Sequence, residues 1–300
     1  MSARAFLAGH FPTTRMVHSA ALSGETGAAV FLKLEAELPT GSFKVRGAMY
    51  SLSMHLRRRA VAEVVASSTG NHGAAVAWAA RTLGLSATVF LPRDPSPVKR
   101  ALIESFGART VEEGRGLAEA TEAARLHAEQ HGALFLHDAD DPWVPEGAGT
   151  IAFEIVEQVP AVDVIYVPVG DSALIRGVSA ALKAVRPHTT VAGVQAASAP
   201  AYYLSWKAGS VVTTDDCDTI AEGLATRAPL AANVAAICDL VDSMHLVTDA
   251  EMVEAMACLD AEGVRAEPAG AAGVAAVRKQ RDSIRGKTVV ALVTGANRRE

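Results

Sequence analysis

Cysteine is scarce in this 300-residue chain: Cys217, Cys238 and Cys258 are odd in number and show no CxxC or Cys/His ligand spacing. They read as buried or surface thiols rather than a metal or redox centre. Basic blocks are absent beyond Arg57 to Arg59 and the terminal Arg298 and Arg299, and the net charge is -5. That balance excludes the electrostatic footprint of a nucleic-acid binder. The longest apolar stretches are broken by glycine or charge well short of a membrane span. The amino terminus, MSARAFLAGHFPTTR, lacks an apolar signal core with a cleavage site, so the expectation is a cytoplasmic protein with no membrane partner. Walker A, GxGxxG, GxSxG and HExxH strings are all missing, which removes nucleotide fingerprints, a serine-hydrolase elbow and a zincin site. Without GxGxxG and its acidic partner, a nucleotide-binding Rossmann reading is disfavoured. There is no internal repeat and no low-complexity tract beyond general alanine richness.

What remains is a chain of 50% hydrophobic content, large enough for a sizeable core in one or two domains. Strand-like runs alternate with helical periodicity. Helix 43–59 precedes strand 61–67, and helix 74–83 precedes strand 87–91; helix 98–106, strand 109–111, helix 116–131 and strand 134–137 follow. The charged, proline-bearing segment DADDPWVP, 138–145, interrupts the rhythm and is the candidate crossing between two sub-domains. Beyond it come helix 147–159, the near-continuous apolar strand 162–169, helix 173–185, strand 190–195 and helix 199–208. The stretch 209–241 is less regular. A capping box, Thr248 with Glu251, opens a helix to about Glu262, and a last strand runs 288–293. Alternation of this kind predicts α/β architecture with right-handed crossovers and parallel sheets covered on both faces.

The chemistry gathers around Lys33 to Ala48, KLEAELPTGSFKVRGA. A strand-like run ends in a Pro/Gly-punctuated loop, and Lys44 follows at the start of a helix. There the macrodipole disfavours the ammonium form, and a neutral amine is what nucleophilic attack on a carbonyl requires. A lone lysine of this kind is ordinarily just solvated, so its meaning depends on partners. Two glycine-containing turns, Ser67 to Gly73 and Gly170 to Gly177, stand where a strand gives way to a helix. Each offers unpaired amides and a positive dipole end to an anion, on the carboxyl edge of a sheet where ligands bind. Taken singly, each is better read as a structural turn. His72 reads as a packed residue at a helix start, and Asp138, Asp140 and Asp141 beside Pro142 as a solvated turn rather than a metal loop.

These strings, in this order, resemble the fold-type II pyridoxal phosphate enzymes, the group of threonine and serine dehydratases, serine racemase and threonine synthase, from about Lys33 to Asn297. KLEAELPTGSFKVRGA resembles that family's lysine segment, SSTGNHG its SSGNH loop, and VPVGDSALIRG its phosphate loop. EGAGTIAFEI resembles its AGQGT helix start, AEPAGAAGVAA its EPxGA segment and VTGAN its terminal SGGN. The resemblance implies two open, mostly parallel-sheet sub-domains with the cofactor, pyridoxal 5'-phosphate, between them: a large domain of 1–56 and 141–300, and a small substrate-carboxylate domain of 57–140. It implies that Lys44 condenses with the cofactor aldehyde and later removes the substrate Cα proton, with Phe43 packed on the ring and Asn71 bonded to the phenolic oxygen. Ser68, Thr69, Gly70, Asn71 and His72 would hold the substrate carboxylate, Thr69 being also a candidate catalytic hydroxyl. Gly170, Asp171, Ser172, Ala173 and Leu174 would cradle the phosphate. Thr294 would face the pyridine nitrogen; a hydroxyl there should leave it unprotonated and favour β-elimination.

Several positions depart from the family pattern. Asp171 and Ser172 replace glycines, and an acid beside a phosphate should cost affinity unless its side chain turns away. Thr69 stands where serine racemase carries a serine, which argues against racemisation while keeping a hydroxyl. The family's divalent-cation acids are replaced by Gln195 and Ala201, so no metal is expected. No extra domain follows the terminal strand, which argues against the isoleucine-inhibited biosynthetic dehydratases. The run CDTIAEGLATRAPLAANV, Cys217 to Val234, resembles the threonine dehydratase-like enzymes of hydroxyectoine breakdown, thought to act on 3-hydroxyaspartate. The resemblance thus implies an ammonia-lyase converting threonine, serine or 3-hydroxyaspartate to a 2-oxo acid and ammonia, working as a homodimer. The rivals are β-replacement, racemisation or threonine synthase-like chemistry, and, in another class, a non-catalytic PLP-binding protein. Arg227 is a candidate partner for a second substrate carboxylate, or a surface arginine.

Overall fold

A computed structural model describes residues 2–298. The first half of the chain forms α1 (Ala3–Leu7), β1 (Met16–His18), α2 (Ala20–Thr26), β2 (Ala29–Leu34), α3 (Lys44–Leu56), β3 (Glu63–Ser67), α4 (Asn71–Thr82), β4 (Ser86–Leu91), α5 (Pro97–Ser105), β5 (Arg109–Glu112), α6 (Leu117–His131) and β6 (Leu134–Phe135). The second half forms α7 (Val144–Gln158), β7 (Val164–Pro168), α8 (Ala173–Val185), β8 (Thr190–Ala196), α9 (Ala201–Ala208), α10 (Ala231–Leu240), β9 (Ser243–Val247), α11 (Asp249–Ala261), α12 (Pro268–Lys279), α13 (Arg281–Ile284) and β10 (Thr288–Val293). The architecture is α/β with two mostly parallel sheets.

By compactness the described chain divides into two units. The first comprises 2–11 and Leu38–Gly147, the second Pro12–Glu37 and Ala148–Arg298. The chain therefore changes unit after Phe11, after Glu37 and again within α7, after Gly147. These dividing points differ from those at which the order of motifs divides the sequence.

In the first unit four parallel strands lie in the order β5-β4-β3-β6. Val65 and Phe90 present one face of this sheet to Ala120, Ala124 and Ala128 of α6, an i, i+4, i+8 stripe of small residues that lets the helix lie close. Almost the whole of α4 is buried, including Ala74, Ala75, Val76, Ala77, Ala79 and Ala80, and α3 packs along it. β3 and β6 are direct neighbours, Val64 opposite Leu134, so the loops leaving their carboxyl ends share one edge.

The second unit holds a six-stranded sheet ordered β1-β2-β10-β7-β8-β9, in which β1 alone pairs antiparallel. Its central strands read as continuous apolar runs because both faces are covered, as in β7, VIYVP, whose five residues are all buried. α12 crosses this sheet with Ala271, Ala272, Ala275 and Ala276 against Val30, Leu32, Ala291 and Val293. The capping box of Thr248 and Glu251 is present at α11.

Two sequence expectations need correction here. α4 begins at Asn71 rather than Ala74, because Gly70 is the helix cap and SSTGNHG runs straight into the helix. The region 209–241 is not irregular throughout: α10 occupies its end, and β9 follows as an unexpected edge strand. Among the described residues no helix is long and apolar enough to cross a membrane, and no group of three or more His, Cys, Asp or Glu side chains is placed to hold a metal ion.

Candidate active site

In the first unit, the residues singled out by sequence lie on α3, on the β3–α4 loop and at the start of α4. The chain reaches Lys44 through a turn in which Gly41 adopts φ 68°, a left-handed conformation that glycine takes without steric cost. Phe43 caps α3 through its backbone alone, and Lys44 is the first helical residue. The Lys44 amine lies 5.6 Å from the centroid of the Phe43 ring. Two residues earlier, the Ser42 hydroxyl is buried with no hydrogen-bond partner.

The β3–α4 loop carries Ser68 and Gly70 buried and Thr69 half-buried. Ser68 Oγ accepts the Gly70 amide at 3.0 Å, and the first helical bond of α4 runs from Ala74 N to Gly70 O at 3.1 Å. The amides of Asn71, His72 and Gly73 therefore stand at a helix start that no side chain caps, a cradle for a carboxylate or phosphate. His72 is buried, and its Nε2 donates to the Leu136 carbonyl at 3.1 Å. Burial holds its imidazole below the ordinary histidine pKa, so the ring is neutral and Nδ1 is an acceptor.

Two of the three acids expected to form a solvated turn, Asp138 and Asp141, are buried instead. Asp138, read as part of a solvated turn, is buried, and its Oδ2 accepts a hydrogen bond from Lys44 Nζ. His72 Nδ1 lies 4.0 Å from the same oxygen. Burial alone would raise the Asp138 pKa, but the Lys44 ammonium overrides it and holds the carboxyl well below the usual carboxylate range. Asp141 is also buried, accepting from Ser51 Oγ at 2.8 Å, the Trp143 amide at 2.9 Å and His55 Nε2 at 2.6 Å. Only Asp140 of the three is exposed. The missed signal was positional: Asp138 follows β6 by three residues and so sits on the carboxyl edge beside the β3–α4 loop, where ligands bind in open parallel sheets.

The second unit holds the other group. β7 leads through Val169 into Gly170, Asp171 and Ser172, and α8 begins at Ala173. A Cβ on Gly170 would overlap the Gly223 carbonyl oxygen, so the close approach of these two backbones requires glycine. Ser172 holds φ 68° without glycine's freedom, a strained cap of the kind found at binding loops. Its hydroxyl does not cap the helix; it donates to Tyr202 Oη at 3.3 Å and accepts from Arg176 Nε at 3.1 Å. The start of α8 thus keeps its amides for an anion. Asp171 Oδ1 accepts from Thr226 Oγ1 at 3.1 Å, which ties the acid to the loop after a short 3-10 turn. Thr294 is buried just past β10, and the adjoining Gly295 accepts the Glu267 amide at 2.9 Å beside the start of α12. Arg227 is exposed and donates to the Asp215 carbonyl at 3.1 Å.

Each unit carries groups that suit pyridoxal phosphate: the first a primary amine for the aldehyde at Lys44, the second an uncapped helix start with an obligatory glycine for the phosphate and a buried hydroxyl at Thr294. Comparison with known proteins agrees. Residues 7–295 match the pyridoxal-phosphate dependent enzyme family, and the chain belongs to it. It is 39% identical to an L-threonine ammonia-lyase of Thermotoga maritima over 95% of this chain and 71% of that protein. It is 35% identical to an L-threo-3-hydroxyaspartate ammonia-lyase of a Pseudomonas species, over 97% of this chain and 92% of the other. Its fold superimposes on maize serine racemase with a TM-score of 0.94 at 30% identity, covering 99% of this chain and 92% of the racemase.

Proposed function

We propose that the protein is a PLP-dependent ammonia-lyase that converts a β-hydroxy-α-amino acid to a 2-oxo acid and ammonia, with threonine, serine and 3-hydroxyaspartate as the candidate substrates. The observation that carries this reading is the Lys44 amine at the first residue of α3, in a chain so similar to named ammonia-lyases. Lys44 and Phe43 would hold the cofactor at its aldehyde and ring, Asn71 at its phenolic oxygen, Gly170 to Leu174 at its phosphate and Thr294 at its pyridine nitrogen. When bound, the cofactor supplies the electron sink that acidifies the substrate Cα–H bond.

The chain's own residues do the rest. Ser68, Thr69 and the amides from Gly70 to His72 bind the substrate carboxylate at the positive end of α4 and so orient the Cα–H bond. Lys44, once neutral, takes the Cα proton as general base. His72, held neutral and bonded to the Leu136 carbonyl, adds no charge and keeps the loop in place. Loss of the β-hydroxyl and hydrolysis of the resulting enamine give the 2-oxo acid and ammonia. The likeness to serine racemase supports racemisation as the second reading, in which the recovered amino acid changes chirality without 2-oxo acid release, while Thr69 in place of serine weighs against it. We further propose a cytoplasmic homodimer acting on a free amino acid, with no nucleic-acid or membrane partner; sedimentation of the purified protein checks the dimer.

The deciding experiment is release of 2-oxo acid from serine, threonine and 3-hydroxyaspartate by wild-type protein and Lys44→Ala. Activity that depends on Lys44 supports the reading. Activity retained by Lys44→Ala would sink it.

A further inference from the structure

Asp138 is a carboxylate without an evident structural task. Its neighbour Asp141 shows what a structural acid looks like here, with three donors from α3 and its own turn. Asp138 has Lys44 as its hydrogen-bond partner, and His72 Nδ1 at 4.0 Å can accept but not donate when the ring is neutral. An amine must be uncharged to take a proton, so while Lys44 works it is no longer an ammonium partner for Asp138, whose negative charge is left to pair with a cation or hydroxyl of the substrate. That charge then faces the edge on which Ser68 to His72 are placed.

We propose that Asp138 sets the substrate class of this site: it favours an amino acid whose side chain carries an ammonium, accepts an uncharged β-hydroxy side chain, and rejects one with a second carboxylate. The inference rests on the reading of Lys44 and the Ser68 to His72 loop as the reacting amine and the carboxylate cradle. The substrate α-carboxylate is met by the uncapped start of α4 and by hydroxyls, but a second carboxylate would meet Asp138. Like charges about 5–6 Å apart, at the effective dielectric of a partly buried site, disfavour binding by on the order of 100-fold, and opposite charges favour it with the reverse sign. A side-chain hydroxyl falls between, since a carboxylate can accept from it. Of the three candidate substrates, 3-hydroxyaspartate is therefore the one this site refuses.

The test is equilibrium binding, read from the absorption change of the cofactor-loaded protein on titration with 2,3-diaminopropionate, threonine and 3-hydroxyaspartate. In wild-type protein the dissociation constants should rise in that order, with about 100-fold between threonine and 3-hydroxyaspartate. Asp138→Asn should compress that gap to within about tenfold, whatever it does to the threonine constant itself. Equal binding of threonine and 3-hydroxyaspartate by the wild type, or a ratio unmoved by Asp138→Asn, overturns the proposal. If Asp138→Asn does not fold, the wild-type order alone decides. Failure of all three amino acids to shift the spectrum is a different result, since it overturns the lyase reading itself.

Discussion

Two lysines, eleven positions apart, each pair with a carboxylate, and they serve opposite ends. In the second unit Lys33 is wholly buried at the end of β2, and its three N–H groups are taken by the Thr14 carbonyl at 2.8 Å, Glu154 Oε2 at 2.6 Å and Gln158 Oε1 at 2.8 Å. Thr14 Oγ1 in turn donates to the buried Glu35 at 2.6 Å. Such a network meets the desolvation cost of its charges by satisfying each of them, and it has no capacity left for a ligand. In the first unit Lys44 opens a helix, with 18% of its side chain accessible and Asp138 against its amine. What sets Lys44 apart from Lys33 is its place at a helix start, partly open to solvent rather than enclosed in a completed network.

The comparison breaks most visibly in activity. Lys44→Ala should lower 2-oxo acid release by at least about a thousandfold, because it removes the base itself. Lys33→Met should leave the chemistry of its folded fraction near the wild-type rate. In stability the order reverses. Lys33→Met strands Glu154 without its cation and should cost about 3–5 kcal/mol, read from urea unfolding. The cost of Lys44→Ala should be smaller, about 1–3 kcal/mol, since its site is partly open to water.

A smaller effect comes from pH. His72 has a folded pKa below its ordinary value, so the unfolded chain binds a proton near pH 6.5 that the folded chain refuses. Stability is then full above about pH 6.5 and falls as pH drops through and below it. His245, lowered by burial and by Lys279, adds the same sign. Asp138, also depressed, contributes stability that is present above the ordinary carboxylate range and lost as pH falls below it. The melting temperature should therefore decline from about pH 6.5 downward and more steeply below about pH 4. His72→Asn should flatten the first part of that decline, and an unchanged profile would show that His72 carries none of it.

Much of this was legible in the sequence, for identifiable reasons. β7 and β10 are apolar on both faces, and their runs, VIYVP and TVVALV, end where glycine or threonine begins a turn. The start of α8 at Ala173 was readable because Gly170 and the apolar period of ALIRGVSAALKAV bracket it. Other features left no local mark. α10 and β9 are held by packing in a stretch without clean periodicity, and β9 is an edge strand only partly buried. The role of Asp138 depends on β6 lying beside β3, a pairing between segments about seventy residues apart that composition alone does not reveal. Asp171 is the converse: its sequence raised a conflict with a phosphate loop, and the bond from Thr226 Oγ1 shows the acid engaged elsewhere.

The most direct test is to ask which lysine holds the cofactor. Borohydride reduction of the PLP-loaded protein fixes the pyridoxyl group to its lysine, and peptide mass spectrometry then locates it. The adduct is expected on Lys44. An adduct on Lys33 or any other lysine, with Lys44 unmodified, would contradict the account.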